Sequence, residues 1–168
     1  MRTIDLSDLS ARYAVRRLGP DDADRILALC AGNPQFYRFS PAECTREQVL
    51  GDLALTPPGI PPERKHYVGF FEGDVLVAVM DIVDGYPTED IAFIGFFMVA
   101  AERQGRGVGR AIVAETLAYL RSLGYAAARL AIDEGNPQST AFWTRNGFSV
   151  LRRIPRETGA VLLAERAL

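Results

Sequence analysis

At 168 residues the chain has the size of one ordinary globular domain, and two full domains would be cramped. Apolar residues at 48%, charged residues at 24% and a mean hydropathy of +0.02 exclude a disordered or fibrous protein. A net charge of -2 argues against a sequence-independent grip on nucleic acid, and the longest apolar run, Ile91 to Ala101, is too short to cross a bilayer.

The first residues, Met1-Arg2-Thr3-Ile4-Asp5, carry an acid early and no apolar stretch, so no targeting peptide is readable and a cytoplasmic protein is expected. Cys30 and Cys44 show no metal-ligand spacing, so no zinc and no disulfide framework are expected. Among 19 basic residues only Lys65 is a lysine, a bias ascribed to genome composition and given no functional weight. One domain spanning 1–168 is expected, with its core over about 13–168 and residues 1–12 as an extension.

Tyr13 to Leu18 reads as a short strand, and Gly19-Pro20-Asp21 turns it into a helix with Ala23, Ile26, Leu27 and Cys30 at helical spacing. Gly32-Asn33-Pro34 ends that helix. Gln35 to Pro41 is an aromatic loop carrying Phe36, Tyr37 and Phe39, either a plug under the loop or a substrate contact. Thr45 to Leu55 is a second helix, and the proline-rich Thr56 to Pro62 a rigid loop. His66 to Phe71 and Val75 to Val83 form a hairpin around Glu72-Gly73-Asp74. After the Gly85-Tyr86-Pro87 turn, Ile91 to Val99 is nearly all apolar, as a strand buried on both faces would be. Val108, Ile112, Leu117, Leu120 and Leu123 stripe a helix ending at Gly124, and Ala126 to Ile132 is the next strand. Asn136-Pro137 opens a last helix closed by Gly147, and Phe148 to Arg153 and Ala160 to Arg166 are two final strands. The order predicts a mixed α/β fold.

The stretch from Arg103 to Arg110, with glycines at 105, 107 and 109, lies between a buried strand and a helix start. Free N–H groups and the positive dipole end of such a helix attract an anion, and glycine lets a phosphate approach them. Arg103, Arg106 and Arg110 add charge, or are solvated at a helix start. A Walker loop is excluded because the stretch holds no lysine. A dinucleotide fingerprint is excluded because its third glycine is missing: Arg110 or Ile112 stands there. A tight turn packed on the sheet remains the plain alternative.

Gln104-Gly105-Arg106-Gly107-Val108-Gly109 matches the Q/R-x-x-G-x-G/A signature, so the chain resembles the GCN5-related N-acetyltransferases, the GNAT superfamily. Gly147-Phe148, after the helix opened by Asn136, is similar to that family's second acetyl-CoA motif, and the likeness runs from about Tyr13 to the C-terminus. The resemblance implies a central mixed sheet of six to seven strands, splayed between the fourth and fifth, with about four helices on its faces. It implies acetyl-CoA as cosubstrate in the splay, its pantetheine arm against the backbone of Phe97, Met98 and Val99. The pyrophosphate would lie on N–H groups from Gln104 to Gly109, with Asn136, Ser139 and Trp143 alongside. A backbone N–H near Phe97 would hold the oxyanion.

Two positions depart from the family's pattern. Seven residues after Asn136, where many members carry a tyrosine that protonates the leaving thiolate, stands Trp143. Indole N–H can orient a thioester but is a very poor acid, so Trp143 is an orienting group or plain core, and water beside Ser139 or Asn136 is the fallback proton source. Eleven residues before Gln104, where the histone-acetylating branch places a glutamate, stands Phe93. Asp81, Asp84, Glu89 and Asp90 flank the Tyr86 turn, as solvated turn residues or as attractors of a cationic amine, with Glu89 and Asp84 the first candidates for the base. Phe36, Tyr37, Phe39, Asp81 and Tyr86 are the candidate acceptor contacts. His66 is taken as structural, and no Cys/His/acid set favours a covalent cysteine intermediate. The expected activity is an acyltransferase moving acetyl to a small or peptide amine by direct attack in a ternary complex, with room for a homodimer and no metal. The alternative is a catalytically degenerate acyl-CoA-binding sensor.

Overall fold

The computed structural model describes residues 2–168. One seven-stranded sheet, in the order β1-β2-β3-β4-β5-β7-β6, forms the centre. Its strands are β1 Ala14–Arg17, β2 Lys65–Glu72, β3 Val75–Asp84, β4 Ile91–Val99, β5 Ala127–Asp133, β6 Ser149–Pro155 and β7 Ala160–Ala167. The helices are α1 Ala23–Ala31, α2 Pro34–Tyr37, α3 Arg46–Ala54, α4 Val108–Ser122 and α5 Pro137–Arg145. The α-helix beyond those read from the sequence is α2, one turn opened by Pro34 inside the aromatic segment.

Two apolar layers cover the sheet. On one face α4 buries Ile112, Val113, Leu117 and Leu120 against Val68, Met80, Ala92 and Leu130. On the other α1 buries Ala23, Ile26, Leu29 and Cys30 against Tyr67, Val79 and Met98. Each leucine-sized side chain so removed from water contributes about 1.5–3 kcal/mol. Of the segment 1–12, read as an extension outside the core, described residues pack into it: Leu9 is fully buried, Ile4 nearly so, and the Leu9 carbonyl accepts from the Thr116 hydroxyl of α4.

The feature that shapes the site is a single residue. All neighbours are antiparallel except β4 and β5, which run parallel and pair only from Ile91–Ala127 to Ile94–Leu130. On its other side β4 shifts register between Asp81, opposite Phe96, and Ile82, opposite Ile94. Gly95 is therefore the extra residue of a β-bulge, and pairing with β5 ends one residue before it. Beyond that point β5 holds only β7, and the sheet opens between β4 and β5.

Candidate active site

The opening leaves one edge of β4 unpaired. Ala100 N–H donates to the Val77 carbonyl at 2.8 Å, so by antiparallel alternation Met98 faces β3 with its backbone groups while Phe97 and Val99 turn theirs into the gap. The Val99 carbonyl bears this out, accepting from Gln104 Nε2 at 2.9 Å and Asn33 Nδ2 at 3.2 Å, both across the gap.

At the far end of β4 the glycine loop leads into α4. Gly105 and Gly107 hold left-handed backbone, with φ of +75 and +77, and Gly107 is the residue before the helix. The first intrahelical bond there is from Ala111 N–H to the Gly107 carbonyl, leaving the N–H groups of Val108, Gly109 and Arg110 without helical partners. A β-carbon at Gly105 or Gly107 would meet no atom within 4 Å, whereas one at Gly109 would stand 3.2 Å from Phe142 and Val99. Two glycines thus keep open space beside free donors, and the third lets α4 pack against β4 and α5.

These groups line a cavity of about 630 Å³ bounded by Asn33, Phe97 to Val99, Gln104 to Arg110 except Arg106, and α5. A phosphate-bearing ligand with an extended amide arm suits it: free helical N–H groups at one end and, at the other, the backbone groups of Phe97 and the N–H of Val99, whose carbonyl is taken by Gln104 and Asn33. Of the three candidate arginines, Arg110 lines this cavity. Arg103 instead pairs with Glu72 at 3.1 Å, and Arg106 is exposed outside it. Asn136 is also outside, its buried Oδ1 capping α5 by accepting from Ser139 N–H at 3.1 Å.

A second cavity, of about 550 Å³, lies behind the first, under α1, α2 and α3 and over β2 to β5. Phe36, Phe97, Ser139 and Trp143 line both. The two spaces therefore meet where β4 leaves β5. Trp143 at this junction is 8% exposed and packs its ring against Phe97, Phe142 and Phe148, with centroids 4.9–5.9 Å apart. Ser139 is the one hydroxyl common to both cavities.

Of the residues proposed for the acceptor, Phe36, Tyr37 and Asp81 line the second cavity, while Phe39 and Tyr86 do not. Tyr86 lies edge-on to Phe93, 5.5 Å between centroids. The first candidates for a base lie elsewhere too. Glu89 is paired with Arg64 at 2.7 Å, which holds its carboxyl below the usual range, and Asp84 is buried against the Tyr125 hydroxyl. Neither lines a cavity. Strand parity explains the split: Asp81 and Asp84 are three residues apart, so they face opposite sides of β3.

Sequence reasoning passed over Lys65, Tyr67, Val83 and Asp52, which the fold brings beside the candidate Asp81. Lys65, Tyr67, Asp81 and Val83 form one patch because Tyr67 is in register with Asp81 and Lys65 with Val83. Lys65 Nζ donates to Asp81 Oδ2 at 2.6 Å, with both side chains nearly buried. Burial pushes the Asp81 carboxyl up, and the neighbouring ammonium pulls it back. Asp52 from α3 is also raised by burial, and across the cavity Arg156 pairs with Asp133 at 2.8 Å. The lining carries four carboxylates, Glu43, Asp52, Asp81 and Asp133, against the two cations Lys65 and Arg156. Cys30, also in the wall, has its thiol pushed up to about 11 by burial and so stays protonated.

The sequence profile of the acetyltransferase (GNAT) family matches residues 33–148, from the start of α2 to the residue before β6. The chain belongs to that family. No curated protein matches it closely enough to report. Solved structures share the fold. An acetyltransferase from Thermus thermophilus is 23% identical over the whole of both chains, with a TM-score of 0.74. A GCN5-related N-acetyltransferase from Kribbella flavida is 25% identical over 92% of this chain and 96% of its own, with a TM-score of 0.63. A PaiA N-acetyltransferase from Thermoplasma acidophilum, in complex with coenzyme A, is 15% identical over 92% of this chain and 98% of its own, with a TM-score of 0.64. The fold expected of a GNAT protein is thus met, with five helices in place of about four. Among the described residues no helix is long and apolar enough to cross a membrane.

Proposed function

We propose that the chain is an acetyl-CoA-dependent N-acetyltransferase that passes the acetyl group directly to an amine within a ternary complex. The observation that carries this reading is the meeting of the two cavities at Phe97, Ser139 and Trp143, in the gap opened by the Gly95 bulge. One cavity offers free N–H donors and a strand edge, the other an acidic wall with aromatic flanks. The coenzyme A complex of the Thermoplasma relative supports the choice of thioester.

In this reading acetyl-CoA supplies an activated acyl group. The N–H groups from Gly105 to Arg110 bind its pyrophosphate, and the Phe97 carbonyl and Val99 N–H align its arm. The Phe97 N–H, turned into the gap, holds the oxyanion. Ser139 orders the water that returns a proton to the leaving thiolate, a role the indole of Trp143 is too weak an acid to fill. Trp143 and Phe97 fix the junction by packing. The acidic wall draws a cationic amine and disfavours anionic acceptors. The setting is the cytoplasm, where acetyl-CoA and free amines coexist.

The test is release of free thiol from acetyl-CoA in the presence of a panel of primary amines, with the product weighed by mass spectrometry. Amine-dependent release with an acetylated product supports the reading. Tight acetyl-CoA binding without release on any amine makes the chain an acyl-CoA sensor instead.

A further inference from the structure

Lys65 is the only lysine in the chain, and the fold carries its amine into the acceptor cavity. The residue opens β2, and its side chain, 6% exposed, reaches along the sheet to Asp81 on β3. Asp81 in turn lies against Gly95 on β4, where an added β-carbon would stand 2.9 Å from Oδ2. The line from Lys65 through Asp81 to Gly95 therefore crosses three strands. It ends at the bulge two residues before Phe97, where the two cavities join. A primary amine of the protein thus belongs to a residue lining the space an acceptor amine must enter.

The pair has little support as separated charges. Asp81 Oδ1 is buried without a hydrogen-bond partner, and the one hydrogen bond of Lys65 Nζ is that to Oδ2, with the Tyr67 ring 5.8 Å away. Asp52 on α3 is the other charged group acting on Asp81, and the facing β4 residues, Gly95 and Phe96, carry no charge. The free oxygen of Asp81 is a ready seat for the proton.

We propose that Lys65 is a self-acetylation site, with Asp81 as the proton acceptor. The proposal rests on the reading that the chain uses acetyl-CoA. The Asp81 carboxylate takes one proton from the ammonium, and the lone pair released on Nζ forms the C–N bond to the thioester carbonyl carbon. The C–S bond breaks with its electron pair on sulfur, and a second N–H proton passes to that sulfur to give the free thiol. One N–H remains in the new amide, and Asp81 returns its proton to solvent. The product removes one of two cations from the cavity wall and leaves Asp52 and Asp81 unbalanced, so modification also changes what the acceptor cavity can hold.

The experiment incubates the full chain with acetyl-CoA and follows it by intact mass and peptide mapping, alongside an acetyl-CoA binding titration of the same sample. One acetyl group is expected on the Lys65 peptide, growing with time. In Asp81→Asn it is expected to form about a hundredfold more slowly at unchanged acetyl-CoA affinity, the scale of a lost proton acceptor. Should Asp81→Asn fail to fold, Gly107→Trp serves, because it fills the cofactor cradle and leaves Lys65 and Asp81 untouched; it is expected to abolish the modification. A chain saturated with acetyl-CoA whose Lys65 stays unmodified overturns the proposal. So does modification at the wild-type rate in either variant, which is the mark of uncatalysed chemistry. Absence of acetyl-CoA binding is seen in the titration and defeats the proposed function itself, the self-acetylation with it.

Discussion

Asp81 rests so closely on Gly95 that any β-carbon there would stand 2.9 Å from its carboxylate. Gly95 is also the bulge residue at which β4 parts from β5, so one glycine opens the sheet and makes room for the buried acid. Gly95→Ala requires the Asp81 carboxylate, and with it its contact to Lys65, to shift. A loss of about 1 kcal/mol is expected, the scale of one weakened hydrogen-bonded ion pair, and urea denaturation measures it. Wild-type stability in this variant would contradict the packing described.

Gly107 stands at left-handed φ +77 with open space around its missing side chain. Gly107→Trp fills that space at the mouth of α4 and costs about 1–2 kcal/mol in backbone strain. The expected result is a folded protein by circular dichroism whose acetyl-CoA affinity has fallen beyond detection. A folded variant with unchanged affinity would place the cofactor elsewhere.

Gln104 is the signature residue whose side chain joins three parts of the site. Its Nε2 donates to Asn33 Oδ1 at 2.5 Å and to the Val99 carbonyl at 2.9 Å, holding the start of α2 against the end of β4. Gln104→Ala is expected to weaken acetyl-CoA binding by about fivefold, roughly 1 kcal/mol for a lost positioning hydrogen bond. Calorimetry of the variant decides it, and an unchanged affinity would reduce the contact to loop packing.

The single histidine offers a clean pH signature. Arg17 Nη2 lies 3.0 Å from His66 Nδ1, so that nitrogen accepts and the buried ring is neutral. Burial, then the Arg17 charge, lowers its pKa below the ordinary 6.5. The unfolded chain therefore binds the proton first, and stability is lost as pH falls from 6.5 through the lower folded value. Denaturation midpoints across that range should fall in the wild type and fall less in His66→Gln. Parallel curves would mean that the ring titrates alike in both states.

The element order was legible because each boundary carries its own chemistry: Asn136-Pro137 caps and opens α5, and Gly124 and Gly147 end their helices in left-handed backbone. The glycine-loop cavity was legible for the same reason, since Gln104 to Gly109 is a local motif. One turn of helix at Pro34–Tyr37 is too short to show a period, and Ile4 and Leu9 are isolated apolar residues whose burial depends on α4, more than 100 positions away. The wall of the second cavity was harder still. Lys65, Asp52 and Arg156 come from three separate segments and converge only through strand register and the helices laid over it. The parity of β3 was readable, and it separates Asp81 from Asp84 without any structure.

The measurement that bears most directly on the central claim is calorimetric titration of the protein with acetyl-CoA, with ATP titrated in parallel. The gap at Gly95 and the donors from Gly105 to Arg110 predict saturable binding of acetyl-CoA at one site per chain, tighter than that of ATP, because the strand edge at Phe97 and Val99 engages the amide arm that ATP lacks. No binding of acetyl-CoA, or ATP as the tighter ligand, would contradict the assignment of this cleft.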